Sequence, residues 1–165
     1  MFNKGYVVVD GILHPQLVEY LSTLTEITIP QCKSDPSMIE TEGENKPLGG
    51  YNTDLGQSLL SFLTPFYNKI TGENLIPTYS YFRTYYKGND LKPHIDRNDC
   101  EYSATIQLTG SDIYPIFIEN RSKQPIKLQP NIGSIVFYKG IELSHWREKL
   151  EFDTSSHVFL HWKLG

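Results

Sequence analysis

This sequence has few cysteines, a small net charge and no long apolar run. Its 165 residues include two cysteines, Cys32 and Cys100, which are too few for a disulfide framework. A reduced, intracellular setting is therefore expected, with a single disulfide between the two cysteines as the alternative. The formal net charge of -4 gives no electrostatic support for nucleic acid or an anionic membrane as a partner.

The sequence also lacks the marks of a membrane or exported protein. No apolar run approaches the ~18–20 residues that a membrane-spanning helix needs. Residues 1–5 have neither the charged nor the apolar region of a signal peptide. We therefore expect a soluble, cytoplasmic protein with no membrane partner, while its oligomeric state is left undetermined.

Aromatic residues, by contrast, are plentiful. They make up 13% of the chain, with 11 Tyr and 8 Phe, and this composition favours β-strands. The length fits one domain with a sizeable core. We predict a single domain over residues 1–165, in which residues 1–76 supply a strand and supporting helices and residues 77–165 form an all-β core. The fold class is thus mainly β with N-terminal helices (α+β).

Two amphipathic helices are predicted before the β core. His14-Pro15 opens the first, whose apolar residues recur at helical spacing until the helix fades near Thr25. The second begins at an N-cap within residues 52–54 and stops at Gly72. Residues 31–50, rich in Pro and Gly, are predicted to be a long loop that either covers a site or is simply mobile.

From Pro77 onward, short apolar and aromatic runs alternate with turn residues such as Lys87-Gly88-Asn89-Asp90. We count about eight strands at a spacing of roughly ten residues, which is typical of a sandwich, jelly roll or barrel.

One short motif in the β core carries side chains that bind metals. In His94-Ile95-Asp96, the outer two residues project to the same face if the segment is a strand. A barrel or jelly roll can bring the distant His145 opposite them. Two histidines and one carboxylate that leave open positions are the ligand set of oxygen-activating non-haem Fe(II). His94, Asp96 and His145 are therefore the candidate metal ligands and catalytic residues.

The surroundings of these residues resemble a known family. The segment from Tyr81 to Gly88, leading into Leu91-Lys92-Pro93-His94-Ile95-Asp96, resembles the 2-oxoglutarate- and Fe(II)-dependent dioxygenases, close to their prolyl-hydroxylase-like branch. The segments 131–138, 145–148 and 158–162 look like the later half of that family's core. The resemblance covers about residues 78–163 and implies a double-stranded β-helix, a jelly-roll or cupin-like fold.

The resemblance also implies an activity. Fe(II) would be bound by the three candidate ligands, and 2-oxoglutarate and O2 would be the co-substrates. The reaction would be hydroxylation of a prolyl or other protein side chain, or of a small molecule, with release of succinate and CO2. The partner would accordingly be a protein, peptide or small-molecule substrate.

The chain departs from the family pattern where 2-oxoglutarate would be held. Relatives usually carry an Arg or Lys on the last strand for the far carboxylate, but residues 154–156 are Thr-Ser-Ser. A dicarboxylate in a desolvated pocket needs a charged partner. Arg147, on the same strand face as His145, is the first substitute because it offers a bidentate fork. The other candidate co-substrate residues are Tyr86, Gln107 and His157.

The residues just after Asp96 are where such enzymes often meet their substrate. Arg97 and Asn98 are therefore candidate substrate-binding residues, although a plain solvated loop is an equal reading. Cys100 is interpreted as a small buried residue. His161 is interpreted as a hydrogen-bonded core residue. The alternative is that it supports the metal ligands without contacting the metal.

Two other function classes fit the same residues. A non-catalytic binding module could keep the fold and use the pocket to hold a ligand, and the missing basic residue near Ser155 favours that reading. A Zn-dependent hydrolase could use the same three ligands and a metal-bound water, but it needs a general base that the sequence does not indicate.

Overall fold

The computed structural model describes residues 2–35 and 46–165. Over that part of the chain it contains two α-helices, α1 and α2, one short 3-10 helix (Asn98–Cys100) and ten strands, β1–β10. The helices are α1 (Pro15–Ser34) and α2 (Asp54–Thr71). The strands are β1 (Tyr6–Val9), β2 (Leu48–Tyr51), β3 (Leu75–Tyr86), β4 (Leu91–His94), β5 (Tyr102–Gly110), β6 (Ile116–Glu119), β7 (Pro125–Leu128), β8 (Ile135–Tyr138), β9 (His145–Arg147) and β10 (Thr154–Leu164).

The described strands form two antiparallel sheets. The larger sheet has the order β1-β8-β5-β10-β3-β2, and the smaller has the order β4-β9-β6-β7. Strands that are distant in sequence are thus neighbours in space, as in a jelly roll. The prediction of a mainly β chain with supporting N-terminal helices is confirmed.

The two faces of the larger sheet differ in chemistry because side chains alternate along each strand. One face is apolar and packs with the helices, through residues such as Phe82, Ile106 and Leu160 against Leu63 and Tyr67 of α2. The opposite face is much more polar although it is buried: it carries Ser103, Thr105, Gln107, His157 and His161. Buried polar side chains at this density indicate a functional interior rather than a packing core.

The first helix is longer than predicted. It continues past Thr25 to Ser34, through the β-branched run 27–29 and Pro30. Its buried positions, Leu21, Thr25, Thr28 and Cys32, keep a spacing of three or four residues, and the Thr28 hydroxyl donates to the carbonyl of Leu24 at 2.9 Å. Burial of one face therefore outweighs the weak helix propensity of the individual residues.

The predicted loop 31–50 is replaced at both ends by regular structure. The end of α1 occupies its start, and β2 occupies its end by pairing with β3. Residues 36–45 lie outside the described part of the chain, so the suggested lid stays a prediction. The second helix has Thr53 as its N-cap and Gly72 at its C-terminus, with φ of 79°, as the sequence predicted. No helix among the described residues is long and apolar enough to span a membrane.

Candidate metal centre

The smaller sheet brings the two histidines together. His94 ends β4 and His145 begins β9, and the two residues are directly paired across the antiparallel ladder. Their rings lie 4.4 Å apart between centroids. Asp96, two residues after His94, turns its carboxylate into the space between them. The predicted ligands therefore meet because of a strand pairing that joins the two halves of the core.

The distances between the candidate ligand atoms suit one metal ion. Asp96 Oδ1 lies 3.6 Å from His94 Nε2 and 3.5 Å from His145 Nε2, and all three ligand atoms lie within 4.8 Å of one another. Bonds of about 2.1 Å to a shared ion allow two ligand atoms to be at most ~4.2 Å apart. Both distances from the carboxylate oxygen are below that limit.

Each histidine ring is oriented by a carbonyl two residues earlier. His94 Nδ1 lies 2.8 Å from the carbonyl oxygen of Lys92, and His145 Nδ1 lies 3.0 Å from that of Leu143. A carbonyl can only accept, so each Nδ1 carries the proton and each Nε2 keeps its lone pair. This arrangement fixes the tautomer that binds metal through Nε2. The ring of Tyr138 packs 4.7 Å from that of His145 and closes off one side.

A second set of hydrogen bonds holds the carboxylate. The Ser103 hydroxyl donates to Asp96 Oδ2 at 2.7 Å, and Ser103 Oγ lies 3.0 Å from His161 Nδ1. Because the hydroxyl proton is used on Asp96, His161 Nδ1 is the donor to Ser103. The chain His161–Ser103–Asp96 leaves Oδ1 facing the two histidines. His161 thus takes the position behind the ligands that the sequence offered as its alternative reading.

A glycine lies against the same carboxylate. The Asp96 amide donates to the Gly140 carbonyl at 2.9 Å, and the Gly140 amide donates to the Glu101 carbonyl at 3.0 Å. A Cβ on Gly140 would come within 2.3 Å of Asp96 Oδ2 and 2.4 Å of the Cys100 carbonyl oxygen. No larger residue fits without moving the carboxylate. The sequence reasoning missed both Gly140 and Ser103. Gly140 lies two residues after the end of β8, where a glycine by itself does not indicate close approach.

The charges around Asp96 keep it ionised. Its burial acts to raise its pKa, but the neighbouring His145 and His94 and the Ser103 hydroxyl outweigh burial, so the pKa lies well below its usual range. Asp96 in turn is the main cause of the raised pKa of His94. Burial lowers the pKa of His161 to about 4, which keeps that ring neutral. The site therefore offers an anionic oxygen beside imidazole nitrogens.

A cavity of about 210 Å³ opens onto the three ligand atoms. Drug-sized ligand pockets usually start near ~300 Å³. The cavity thus has room for a small molecule together with one chemical group of a substrate, and not for a whole polymer. Its lining is Tyr51, Tyr79, Tyr81, Arg83, Tyr85, Leu91, His94, Ile95, Asp96, Arg97, Tyr138, His145, Phe159 and His161.

The mouth of the cavity is aromatic and carries one cation. Tyr51 packs against Tyr81 at 4.7 Å and against Tyr79 at 5.7 Å between ring centroids, and 54% of Tyr51 is exposed. Arg97 lies over the Tyr79 ring and donates to its hydroxyl at 2.8 Å. Of the two predicted substrate-binding residues, Arg97 lines the cavity, whereas Asn98 is exposed in a short 3-10 helix outside it.

The predicted co-substrate residue Arg147 is not in the cavity lining. It is 2% exposed, and its guanidinium donates to the carbonyl of Tyr114, to that of Pro115 at 3.1 Å and to the Thr105 hydroxyl at 3.3 Å. It shares the His145 face as predicted, but it lies deeper between the sheets, where it ties backbone carbonyls together. Its role with 2-oxoglutarate stays a prediction that this position does not favour.

The other three candidates are also occupied elsewhere. His157 accepts from Arg147 at Nδ1 and donates from Nε2 to Ser155 at 2.8 Å. Gln107 donates to the Asp112 carbonyl at 2.7 Å and accepts from the Tyr114 amide at 2.8 Å, so it braces a turn. Tyr86 faces the helices, because even-numbered positions of β3 point away from the cavity.

The odd-numbered positions of β3 are what sequence reasoning missed. Tyr79, Tyr81, Arg83 and Tyr85 all line the cavity. Alternation along the strand puts these four residues on one face, but no signal in the sequence indicates which face of β3 meets the candidate metal site. Cys100 is buried as predicted, with Sγ 3.1 Å from the Tyr79 hydroxyl.

Comparison with known proteins gives one kind of match. No family model matches the sequence, and no curated protein matches it. Solved structures do match. A prolyl-4-hydroxylase from Pseudomonas putida superposes with a TM-score of 0.72 at 14% identity, covering 99% of this chain and 95% of that chain. An oxidoreductase of the 2OG-Fe(II) oxygenase family from Burkholderia pseudomallei gives 0.73 at 14% identity, covering 96% and 85%.

A third solved structure is EctD from S. alaskensis with 2-oxoglutarate and 5-hydroxyectoine. It superposes with a TM-score of 0.73 at 15% identity, covering 99% of this chain and 73% of that chain. The chain therefore has the fold of the 2OG-Fe(II) oxygenases, including prolyl hydroxylases. The resemblance inferred from the sequence is confirmed at the level of the fold.

Proposed function

We propose that this chain is an Fe(II)- and 2-oxoglutarate-dependent dioxygenase that hydroxylates a protein side chain or a small molecule. The observation that carries the proposal is the geometry of His94, Asp96 and His145, with an imidazole Nε2 on either side of one carboxylate oxygen. Three protein ligands leave positions open for co-substrates, as oxygen-activating iron requires. The sheets are interpreted as a double-stranded β-helix, and residues 1–165 as one functional unit.

The residues divide into ligands and supports. His94, Asp96 and His145 would hold the ion, while the two backbone carbonyls and Ser103 keep their orientation. When bound, iron with 2-oxoglutarate and O2 supplies the oxidising power that inserts oxygen into a C–H bond and releases succinate and CO2. The protein contributes a fixed ligand geometry and a cavity that limits access.

The cavity also tells against a hydrolase. A metal-bound water needs a general base near it. Among the described residues that line the cavity, His161 is the only histidine outside the three candidate ligands. Its Nδ1 is committed to Ser103, and burial lowers its pKa to about 4.

The mouth of the cavity is where substrate would be selected. Tyr51 and Tyr79 offer aromatic faces, and Arg97 beside them offers a cation to an acceptor group of the substrate. The small volume is consistent with a small molecule or with one side chain of a protein.

The test has two parts. Protein purified without oxygen is titrated with Fe(II), and metal content is measured to separate iron from zinc. Iron-loaded protein is then given 2-oxoglutarate, air and a range of substrates, and succinate is measured. His94→Ala and Asp96→Ala are expected to abolish iron binding and succinate release, while His14→Ala, an exposed histidine at the start of α1, keeps both. Iron-loaded protein that neither binds 2-oxoglutarate nor releases succinate would refute the proposal.

A further inference from the structure

We infer that Arg83, on β3, anchors the far carboxylate of 2-oxoglutarate in place of the basic residue that the last strand lacks. The inference rests on the proposed function and names a residue for which neither the sequence pattern nor the fold match gives a role.

The usual position for that cation holds hydroxyl residues here. The Ser155 hydroxyl donates to the Thr109 carbonyl at 3.3 Å and accepts from His157 at 2.8 Å. Ser156 faces the other side of the sheet, where it shares a hydrogen bond with Thr84 at 2.9 Å. Neither serine supplies a positive charge, so the carboxylate needs a cation from a neighbouring element.

The strand next to β10 supplies one. β3 pairs with β10 in a register that places Tyr85 opposite Ser155 and Arg83 opposite His157. Arg83 therefore starts beside the position that a basic residue on the last strand would occupy. Its side chain lines the same cavity as the three metal ligands, and its guanidinium lies 4.6 Å from the centre of the Tyr85 ring.

Arg147, which is buried, is not placed for this task. Arg147 is held by backbone carbonyls between the sheets and does not line the cavity. Burial is the main cause of the low pKa of His157, and the charges of Arg147 and Arg83 both add to it. The positive charge of Arg83 is therefore felt at His157 on the last strand, close to the position where relatives carry their basic residue.

The cavity around Arg83 has the chemistry of a small dicarboxylate. The lining of the cavity includes Tyr81, Leu91 and Phe159, which suit the two methylene groups of the co-substrate. A divalent ion, one carboxylate ligand and one guanidinium together leave an excess of positive charge, which a dianion neutralises. Arg97 is the other cation of the lining, but it is exposed at the mouth and bound to Tyr79.

The test compares two acids that differ at one end. Binding of 2-oxoglutarate and of 2-oxopentanoate, in which a methyl group replaces the far carboxylate, is measured by calorimetry on anaerobic Fe(II)-loaded protein. The native protein is expected to prefer 2-oxoglutarate. Arg83→Gln is expected to lose roughly 10- to 100-fold in affinity for 2-oxoglutarate, the value of a charged hydrogen bond. Its affinity for 2-oxopentanoate is expected to stay unchanged, and Arg83→Lys to recover part of the preference.

The controls separate the possible failures. Arg121→Gln removes an exposed cation outside the cavity and is expected to keep the native preference. If Arg97→Gln rather than Arg83→Gln removes the preference, the anchor is at the mouth and the inference is wrong, while the proposed function stands. A folded Arg83→Gln protein that keeps the preference, or that loses both acids equally, overturns the inference as well. If native iron-loaded protein binds neither acid, the proposed function itself fails.

Discussion

Replacement of Ser103 by alanine tests whether the hydrogen bond from Ser103 positions the Asp96 carboxylate. The Ser103 hydroxyl donates to Asp96 Oδ2 at 2.7 Å and accepts from His161 at 3.0 Å, and the residue is fully buried. Ser103→Ala removes one hydrogen bond to a charged group, worth about 1.5–3 kcal/mol, and leaves the His161 donor unpaired. Loss of such a supporting contact typically lowers metal affinity by roughly 10- to 100-fold.

Ser156→Ala is the matched control. Ser156 is also a buried serine of the larger sheet, but it bonds the neutral Thr84 hydroxyl on the face that packs with the helices. This change is expected to cost about 1 kcal/mol of unfolding free energy and to leave Fe(II) affinity unchanged. Anaerobic Fe(II) titration against a competing chelator, with urea unfolding of the same samples, measures both quantities. Equal Fe(II) affinities in Ser103→Ala and native protein would refute the positioning role.

Three further outcomes are expected. Gly140→Ala places a Cβ 2.3 Å from Asp96 Oδ2, so Fe(II) titration should show weakened binding; unchanged affinity would contradict the contact. The pKa of His161 is lowered to about 4, so the unfolded chain takes up a proton first as pH falls below ~6.5, and stability drops with it. Between pH 6.5 and 5, the unfolding free energy of metal-free native protein, measured with urea, should fall by about 1.6 kcal/mol more than that of His161→Gln, and equal falls would exclude this origin. Leu63→Ala in α2 should cost about 2–5 kcal/mol of unfolding free energy without altering Fe(II) affinity, whereas Phe62→Ala, 46% exposed, should cost far less.

The contacts that support the candidate metal ligands fall into two groups. The carbonyls of Lys92 and Leu143 orient the rings through bonds within the same strand or turn, whereas Ser103 and Gly140 reach Asp96 from other elements. Changes at the second group are therefore expected to alter metal affinity without removing a ligand. That behaviour distinguishes positioning residues from the ligands themselves.

The arrangement of His94 and Asp96, two of the candidate metal ligands, was predictable because it is local, whereas their meeting with His145 depends on the pairing of β4 with β9. His94 and Asp96 are two apart at the end of a short strand, and each histidine ring is turned by a carbonyl two residues before it. Alternation of side chains and short-range hydrogen bonds depend on the sequence around each residue. The order of helices and strands was predictable for the same reason, with two exceptions. Tertiary burial extended α1 beyond what residue propensities favour, and β2 forms by pairing with β3 in a segment predicted to be a loop.

The sequence by itself determined the chemistry available: a His-x-Asp pair, a distant histidine, an all-β core and no basic residue at 154–156. Only the tertiary structure decided which arginines line the cavity. Arg147 shares the face of His145, yet it lies too deep and binds carbonyls, while Arg83 reaches the cavity from β3. That choice depends on the register between β3 and β10 and on the separation of two sheets. Both are fixed by packing between residues far apart in the chain, so no local pattern could reveal them.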